Sequence, residues 1–405
     1  MIRPWAVVLA GLCAHTPAFA ESLFDGDQLR GFLELRAVAA DGERSWMRDG
    51  FGKTRFGGGG EEVVGAGLAT GLLVWRPHLS WSLDGYVSLQ ADSQALPALD
   101  AVEAYLSYRG PPRDGWRWGA RAGVFYPPVS LEHGGIGWTP TETITPSAIN
   151  SWIGEEVKIG GVEVTARRSF ADQEVEATGA LFGFNDTAGT LIAFRGWALG
   201  DVMPGLRGKA ALPPTVRQFD TEPTTELDGR IGYFGRLLYQ PIGSLTLDIS
   251  HYDNAGDRMS DKHGQTNWET RFTNLSLRFT PTPDVRILAQ AMTGQTVWGN
   301  LTPRGYWSDV DFSAAYALLA RDFGAHTLSA RMDVFSVDDN SRANPADNGE
   351  EGWALTAAYL VDLWASTRLA FEGLHVASDR PGRVNIGAAP QQRQTTVQSS
   401  LKMSF

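Results

Sequence analysis

Cysteine is almost missing from this sequence: Cys13 is the only one in 405 residues. A single thiol excludes an internal disulfide and a multi-cysteine zinc site. Positive charge is also short, with a formal net charge of −11. That balance excludes a nucleic-acid binder built on a basic stripe over phosphates. Long hydrophobic runs are absent and the mean hydropathy is −0.19, so the chain is not a polytopic helical membrane protein. Gly 46 and Pro 21 are too few for a collagen-like or low-complexity chain. Helical periodicity is missing too: no segment past residue 20 carries a sustained apolar run at i, i+3, i+4, i+7.

The first residues present an export signal. Arg3 supplies the positive start, Ala6 to Cys13 the short apolar core, and Ala18-Phe19-Ala20 an A-x-A cleavage pattern. The apolar run is too short to span a bilayer, which takes about 20 residues in a helix. Residues 1–20 are therefore expected to be removed, leaving 21–405 as one domain that starts at Glu21 and has no cysteine. Lipidation of Cys13 is disfavoured by the bulky Leu12 before it. An exported chain with five lysines and many more arginines suits the periplasm or outer membrane of a Gram-negative bacterium.

Alternation with period two is what the chain has in quantity. In Thr395 to Phe405, Val397, Leu401, Met403 and Phe405 alternate with Gln398, Ser400, Lys402 and Ser404. Trp116, Trp118, Ala120, Ala122 and Val124 alternate with Arg117 and Arg121, and Leu328, Ala330, Met332 and Val334 with Ser329, Arg331 and Asp333. These runs reach about 10 residues, the length of a tilted strand that crosses a bilayer. Strands of soluble sandwiches run to about 5 or 6.

Connection lengths alternate as well. Short links at 77–78, 111–115, 241–244, 281–284 and 324–326 interleave with long ones at 41–62, 127–154, 254–268, 298–308, 338–351 and 379–394. Short turns on one side and long loops on the other belong to an outer-membrane barrel. Trp75, Trp81, Tyr108, Trp116, Tyr239, Phe279, Phe323 and Trp364 flank the short turns, where amphipathic rings meet the membrane interface. The expectation is an all-β chain folded as a single transmembrane antiparallel barrel. Seventeen strands are obvious, and an even number is required. Leu206–Leu212 is placed as the strand between expected strands 187–199 and 227–239. It brings the count to about 18, or 16 if two weak segments are loops.

A barrel of this size encloses water. Its inward positions carry both signs of charge, including Arg117, Arg121, Glu163, Arg167, Arg278 and Arg286. Two readings stay open: a cationic stripe that sets selectivity, or arginines paired with neighbouring carboxylates. The link 127–154 carries four prolines, Trp138, Trp152, Glu132, His133 and Glu142. An unstructured connection of that length has work to do. It is expected either to fold inward and narrow the lumen or to lie exposed. It emerges between strands that carry Arg117, Arg121, Glu163 and Arg167; folded inward, Glu132, His133 and Glu142 would face those arginines, creating a transverse field.

The run Gly123-Val124-Phe125-Tyr126-Pro127-Pro128-Val129-Ser130-Leu131-Glu132, an aromatic-ended strand followed by P-x-S-x-E, resembles the corresponding region of phosphate-selective-type porins. The export signal, the barrel pattern and the final phenylalanine are shared with outer-membrane porins in general. The resemblance implies a channel for small hydrophilic solutes or ions, contact with outer-membrane lipid and lipopolysaccharide, and a homotrimer as one assembly. It also implies recognition of Phe405 by the barrel assembly machinery. The family's lysine-rich anion site has no match, since Lys158 is the only lysine nearby. The P-E-F-x-x-D constriction motif of general porins is absent.

Two rivals remain at this level. A structural or adhesive barrel would differ only in a closed lumen. An outer-membrane hydrolase would need a catalytic group, and His78, His133, His251, His263, His326 and His375 lie in no G-x-S-x-G or H-E-x-x-H context. The acids Asp253, Asp257 and Asp261 near His251 and His263 have no metal-specific spacing. No catalytic residue, cofactor, metal or nucleic-acid partner is expected.

Overall fold

The computed structural model describes residues 26–405, apart from 49, 58–62, 96, 211, 214–220, 263 and 343–346. The expected export signal, residues 1–20, lies outside the described residues. Eighteen strands are numbered in chain order. The first nine are β1 (Leu29–Ala40), β2 (Val63–Trp75), β3 (Leu83–Asp92), β4 (Leu99–Arg109), β5 (Trp116–Phe125), β6 (Ile159–Phe170), β7 (Gln173–Gly183), β8 (Gly232–Ile242) and β9 (Leu245–Asp253). Two-residue strands β10 (Asp261–Lys262) and β11 (Gln265–Thr266) make a small separate hairpin. The remainder are β12 (Glu269–Thr282), β13 (Val285–Trp298), β14 (Ser308–Phe323), β15 (His326–Asp339), β16 (Glu350–Trp364), β17 (Thr367–Asp379) and β18 (Gln391–Ser404).

All but β10 and β11 close one antiparallel barrel of sixteen strands, in which β1 pairs with both β2 and β18. Closure leaves no strand edge in lipid. Among the described residues no helix is long and apolar enough to cross a membrane. The lower of the two expected counts is the observed one. The two segments that raised it are not wall strands. Residues 187–199 hold a short helix, α2 (Thr190–Phe194). The described part of 206–212 holds a turn and one bridge, Ala210 to Thr221. The physical reason lies in burial. Leu191, Ile192 and Ala193 are consecutive and all buried, whereas a wall strand buries one side and exposes the other.

That correction makes 184–231 a single connection from β7 to β8, longer than the 127–154 link. The two-residue turns, at 171–172, 243–244, 283–284, 324–325 and 365–366, all lie on one rim. Trp81, Tyr108, Trp118, Phe170, Tyr239, Phe323, Trp364 and Phe405 stand exposed around this rim, as interfacial rings do. Above them Leu106, Val162, Val164, Leu237, Ile249, Leu275, Leu319 and Leu355 face outward and exposed. Their neighbours along each strand point into the barrel.

The interior is largely filled. Helix α1 (Ala148–Glu156) begins at Ser147, whose hydroxyl accepts Asn150 N at 3.3 Å, a standard N-cap. Its residues Ile149, Trp152 and Ile153 pack with Leu191, Ile192 and Trp197 into one apolar cluster with Phe125, Phe182, Phe272, Phe312 and Phe335 from the walls. Trp152 meets Phe272 and Phe312 edge-on at 5.4 and 5.2 Å, the geometry ring quadrupoles favour. Helix α2 is admitted by Gly189, which has φ +100° and sits against Thr270 and Thr296, with no room for a Cβ.

Candidate functional site

The inner wall from β5 to β9 is a ladder of opposite charges. Arg117 meets Glu174 at 2.9 Å and Arg121 meets Glu163 at 2.8 Å. Arg167 pairs with Glu176. Arg236 lies between Glu176 at 3.2 Å and Asp248 at 3.1 Å. The ladder follows from register: Arg121 is directly opposite Glu163, and Arg167 opposite Glu176, so inward side chains of adjacent strands touch. Of the two readings of these arginines, the paired one describes what they contact.

Segment 127–158 leaves β5 and lies across the interior, touching inward side chains of β12 to β18. Glu132 is its anchor. One carboxylate oxygen accepts Ser147 N at 2.9 Å and Asn150 Nδ2 at 2.5 Å, at the N-terminus of α1, where a negative charge is stabilised. The other accepts Arg331 Nη1 at 2.9 Å. Arg331 also donates to Thr145 O at 2.7 Å, Pro146 O at 3.0 Å and Asp333 at 2.8 Å. Ile144 N donates to Glu372 at 2.6 Å, and Gln398 Nε2 to Thr145 Oγ1 at 2.8 Å. Glu142 takes a two-pronged contact from Arg286, 2.9 Å on each oxygen, the strongest geometry an arginine offers. Arg278 donates to Leu131 O at 3.1 Å.

The expected opposition of Glu132, His133 and Glu142 to the arginines Arg117, Arg121 and Arg167 is therefore corrected. The acids reach the far wall, where Arg331 and Arg286 receive them, because the wall arginines of β5 and β6 already hold carboxylates. His133 stacks on Trp138 at 3.8 Å, and Trp138 on Tyr126 at 4.0 Å. Burial pushes the His133 imidazole down to about 3, so it is neutral at ordinary pH.

Two other connections share the interior, and their anchors carry no pattern that marks them in the sequence. Lys53 of the β1–β2 connection meets Glu350 at 2.6 Å. Arg55 meets Asp92 at 2.8 Å and Asp201 at 2.9 Å. Asp201, from the β7–β8 connection, also takes Arg36 at 2.7 Å. Arg195 pairs with Glu155. These buried pairs tie the connections to one another and to the wall.

Two cavities remain between this filling and the wall near the short-turn rim. One, of about 350 Å³, is bordered by Glu34, Asp201, Asp362, Arg368 and Lys402. The other, of about 460 Å³, is bordered by Arg30, Arg76, Tyr86, Glu103 and Arg121. His133 and Trp138 border both. On the long-loop side, Asp186, Glu226 and Asp228 bring carboxylate oxygens within 4.8 Å of one another. His251 instead bonds Thr273 at 2.9 Å, and Asp257 meets Arg230 at 3.1 Å.

No protein-family model matches the sequence, and no curated protein matches it. Solved structures do. The outer-membrane channel DcaP of Acinetobacter baumannii superposes with a TM-score of 0.57 at 11% identity, covering 93% of this chain and 96% of that one. An anion-selective porin from Comamonas acidovorans gives 0.53 at 11% identity, covering 93% and 98%. OmpT of Vibrio cholerae gives 0.50 at 8% identity, covering 95% and 100%. At such identities the likeness establishes the fold: the sixteen-stranded barrel of outer-membrane porins and channels, with nothing that singles out the phosphate-selective type.

Proposed function

We propose that this chain is a narrow passive-diffusion channel of a Gram-negative outer membrane, with outer-membrane lipid and lipopolysaccharide against its apolar belt. The observation that carries the reading is the two-faced wall. Exposed leucines and valines ring the outside, while Arg117, Arg121, Glu163, Arg167 and Arg236 line the inside with charge. A lumen of that kind suits water and small hydrophilic solutes. Segment 127–154 narrows the passage, and Arg331 and Arg286 hold it there. The reading gives the chain no catalytic step.

The apolar cluster around Trp152 and Trp197 favours a second reading, a barrel closed at rest. One measurement separates them. Purified protein in planar bilayers is expected to give small, reproducible conductance steps, and replacing residues 132–146 by a short Gly-Ser link is expected to enlarge them. Silence from both proteins, each folded by heat-modifiability, would establish the closed barrel.

A further inference from the structure

Two inward arginines at the short-turn rim break the pattern of the wall. Arg30 lies on β1, directly across from Val74, and Arg76 follows β2, with its N–H donating to Gln28 O at 2.8 Å. They are diagonal neighbours on the same inner face. The Cβ atoms of such a pair lie about 7–8 Å apart, a span that two guanidinium groups close on one anion. Among the described residues neither enters an ion pair. Arg76 lies over the Tyr86 ring at 5.0 Å. Both border the cavity of about 460 Å³.

The nearby acids are otherwise engaged. Glu103 is buried and accepts Tyr126 N at 3.0 Å. Glu163 takes Arg121. The border thus sets Arg30, Arg76 and Arg121 against the single carboxylate of Glu103 and keeps an excess of positive charge. Rings make up much of the rest of its border. Tyr86 and Tyr105 stack at 4.6 Å, and Tyr126 and Trp138 at 4.0 Å. A flat apolar body with one carboxylate matches both parts of the border: bidentate arginine contacts for the carboxylate and, since the stacked rings cover one another's faces, ring edges for the body.

We propose that this cavity is a binding subsite for small aromatic monocarboxylates, with the carboxylate held between Arg30 and Arg76. It rests on the channel reading only for the route by which the solute enters and leaves.

The test uses the folded protein in detergent, with benzoate as the probe and calorimetry as the readout. Saturable benzoate binding is expected, with none of benzyl alcohol at the same concentrations. Arg30→Gln with Arg76→Gln is expected to weaken benzoate binding at least tenfold. Arg30→Lys keeps the charge but loses the two-pronged contact, so it is expected to weaken binding by a smaller factor. Absence of binding by the parent protein, or equal affinity in the double variant, would overturn the proposal. So would displacement of benzoate by equimolar inorganic phosphate. Equilibrium binding needs no ion flux. A protein that binds benzoate but passes no current keeps this subsite and loses the channel reading, whereas one that conducts without binding does the reverse.

Discussion

Gly31 and Phe405 exchange a pair of backbone hydrogen bonds, each 3.0 Å, across the seam where β1 meets β18. The ring of Phe405 lies over Gly31, where a Cβ would stand 2.6 Å from its Cζ and 2.5 Å from Leu72 O. Gly31→Val is therefore expected to push the ring and the strand end away. Removing Phe405 would delete both bonds and one member of the aromatic rim. Each change should lower the heat-modifiable folded form recovered from outer membranes. Normal folded yield in both would remove the contact from barrel closure.

Arg331 is fully buried and holds Glu132, Asp333 and two loop carbonyls. Arg331→Met leaves two buried carboxylates without their cation. Breaking one side of such a group costs about 3–5 kcal/mol. The expected outcome is a folded barrel with a lower urea midpoint and a larger single-channel conductance, because segment 127–147 loses its anchor. An unchanged conductance would show that Asp333, Glu372 and Gln398 hold the segment alone.

Arg117 and Arg121 each neutralise a carboxylate. Arg117→Ala with Arg121→Ala would expose Glu174 and Glu163 as net negative charge. The reversal potential in a salt gradient is expected to shift toward cations. Adding Glu163→Gln and Glu174→Gln should restore it. A shift that survives the quadruple change would mean that the arginines act on ions directly.

Asp186 supplies a pH response on the long-loop side. Burial pushes its carboxyl up to about 7, with the nearby Glu226 and Asp228 adding to the rise, while Leu227 N opposes it. An acid raised from its ordinary 3.8 is penalised in the folded state once it ionises. The folded connection therefore loses stability as pH climbs from about 4 to about 7. The whole penalty is present above that. The urea midpoint should fall between pH 5 and pH 8. Asp186→Asn keeps an acceptor for Leu227 N and should flatten that dependence.

The wall was legible because a lipid-facing strand must alternate: Leu328, Met332 and Val334 outward, Arg331 and Asp333 inward. The aromatic rim and the short turns were legible for the same reason, since the interface acts on every hairpin. The filling was not. Leu191 and Ile192 are buried on all sides, and a short apolar run of that kind reads equally as strand or helix. Charged residues could be listed as inward, yet their partners could not. Glu132 and Arg331 are far apart in sequence, and only the crossing of the interior by segment 127–147 brings them together. Glu142 with Arg286 was half legible, as both were expected in the constriction. Lys53 and Arg195 gave no signal, for a lone cation in a loop is usually solvated.

Gln394 and Gln398 sit on β18, beside the seam. Gln394 donates to Glu43 O at 2.6 Å and accepts Thr54 N at 3.2 Å, and Gln398 holds Thr145 and Glu372. The β1–β2 connection is thus strapped from inside to the strand that closes the ring. A barrel whose first and last strands are joined only by ladder bonds can unzip sideways into the bilayer along that line. Here, parting β1 from β18 would also have to tear the strap. Lateral opening and emptying of the interior become one event, and the packed connections work as a lock on the cylinder that contains them.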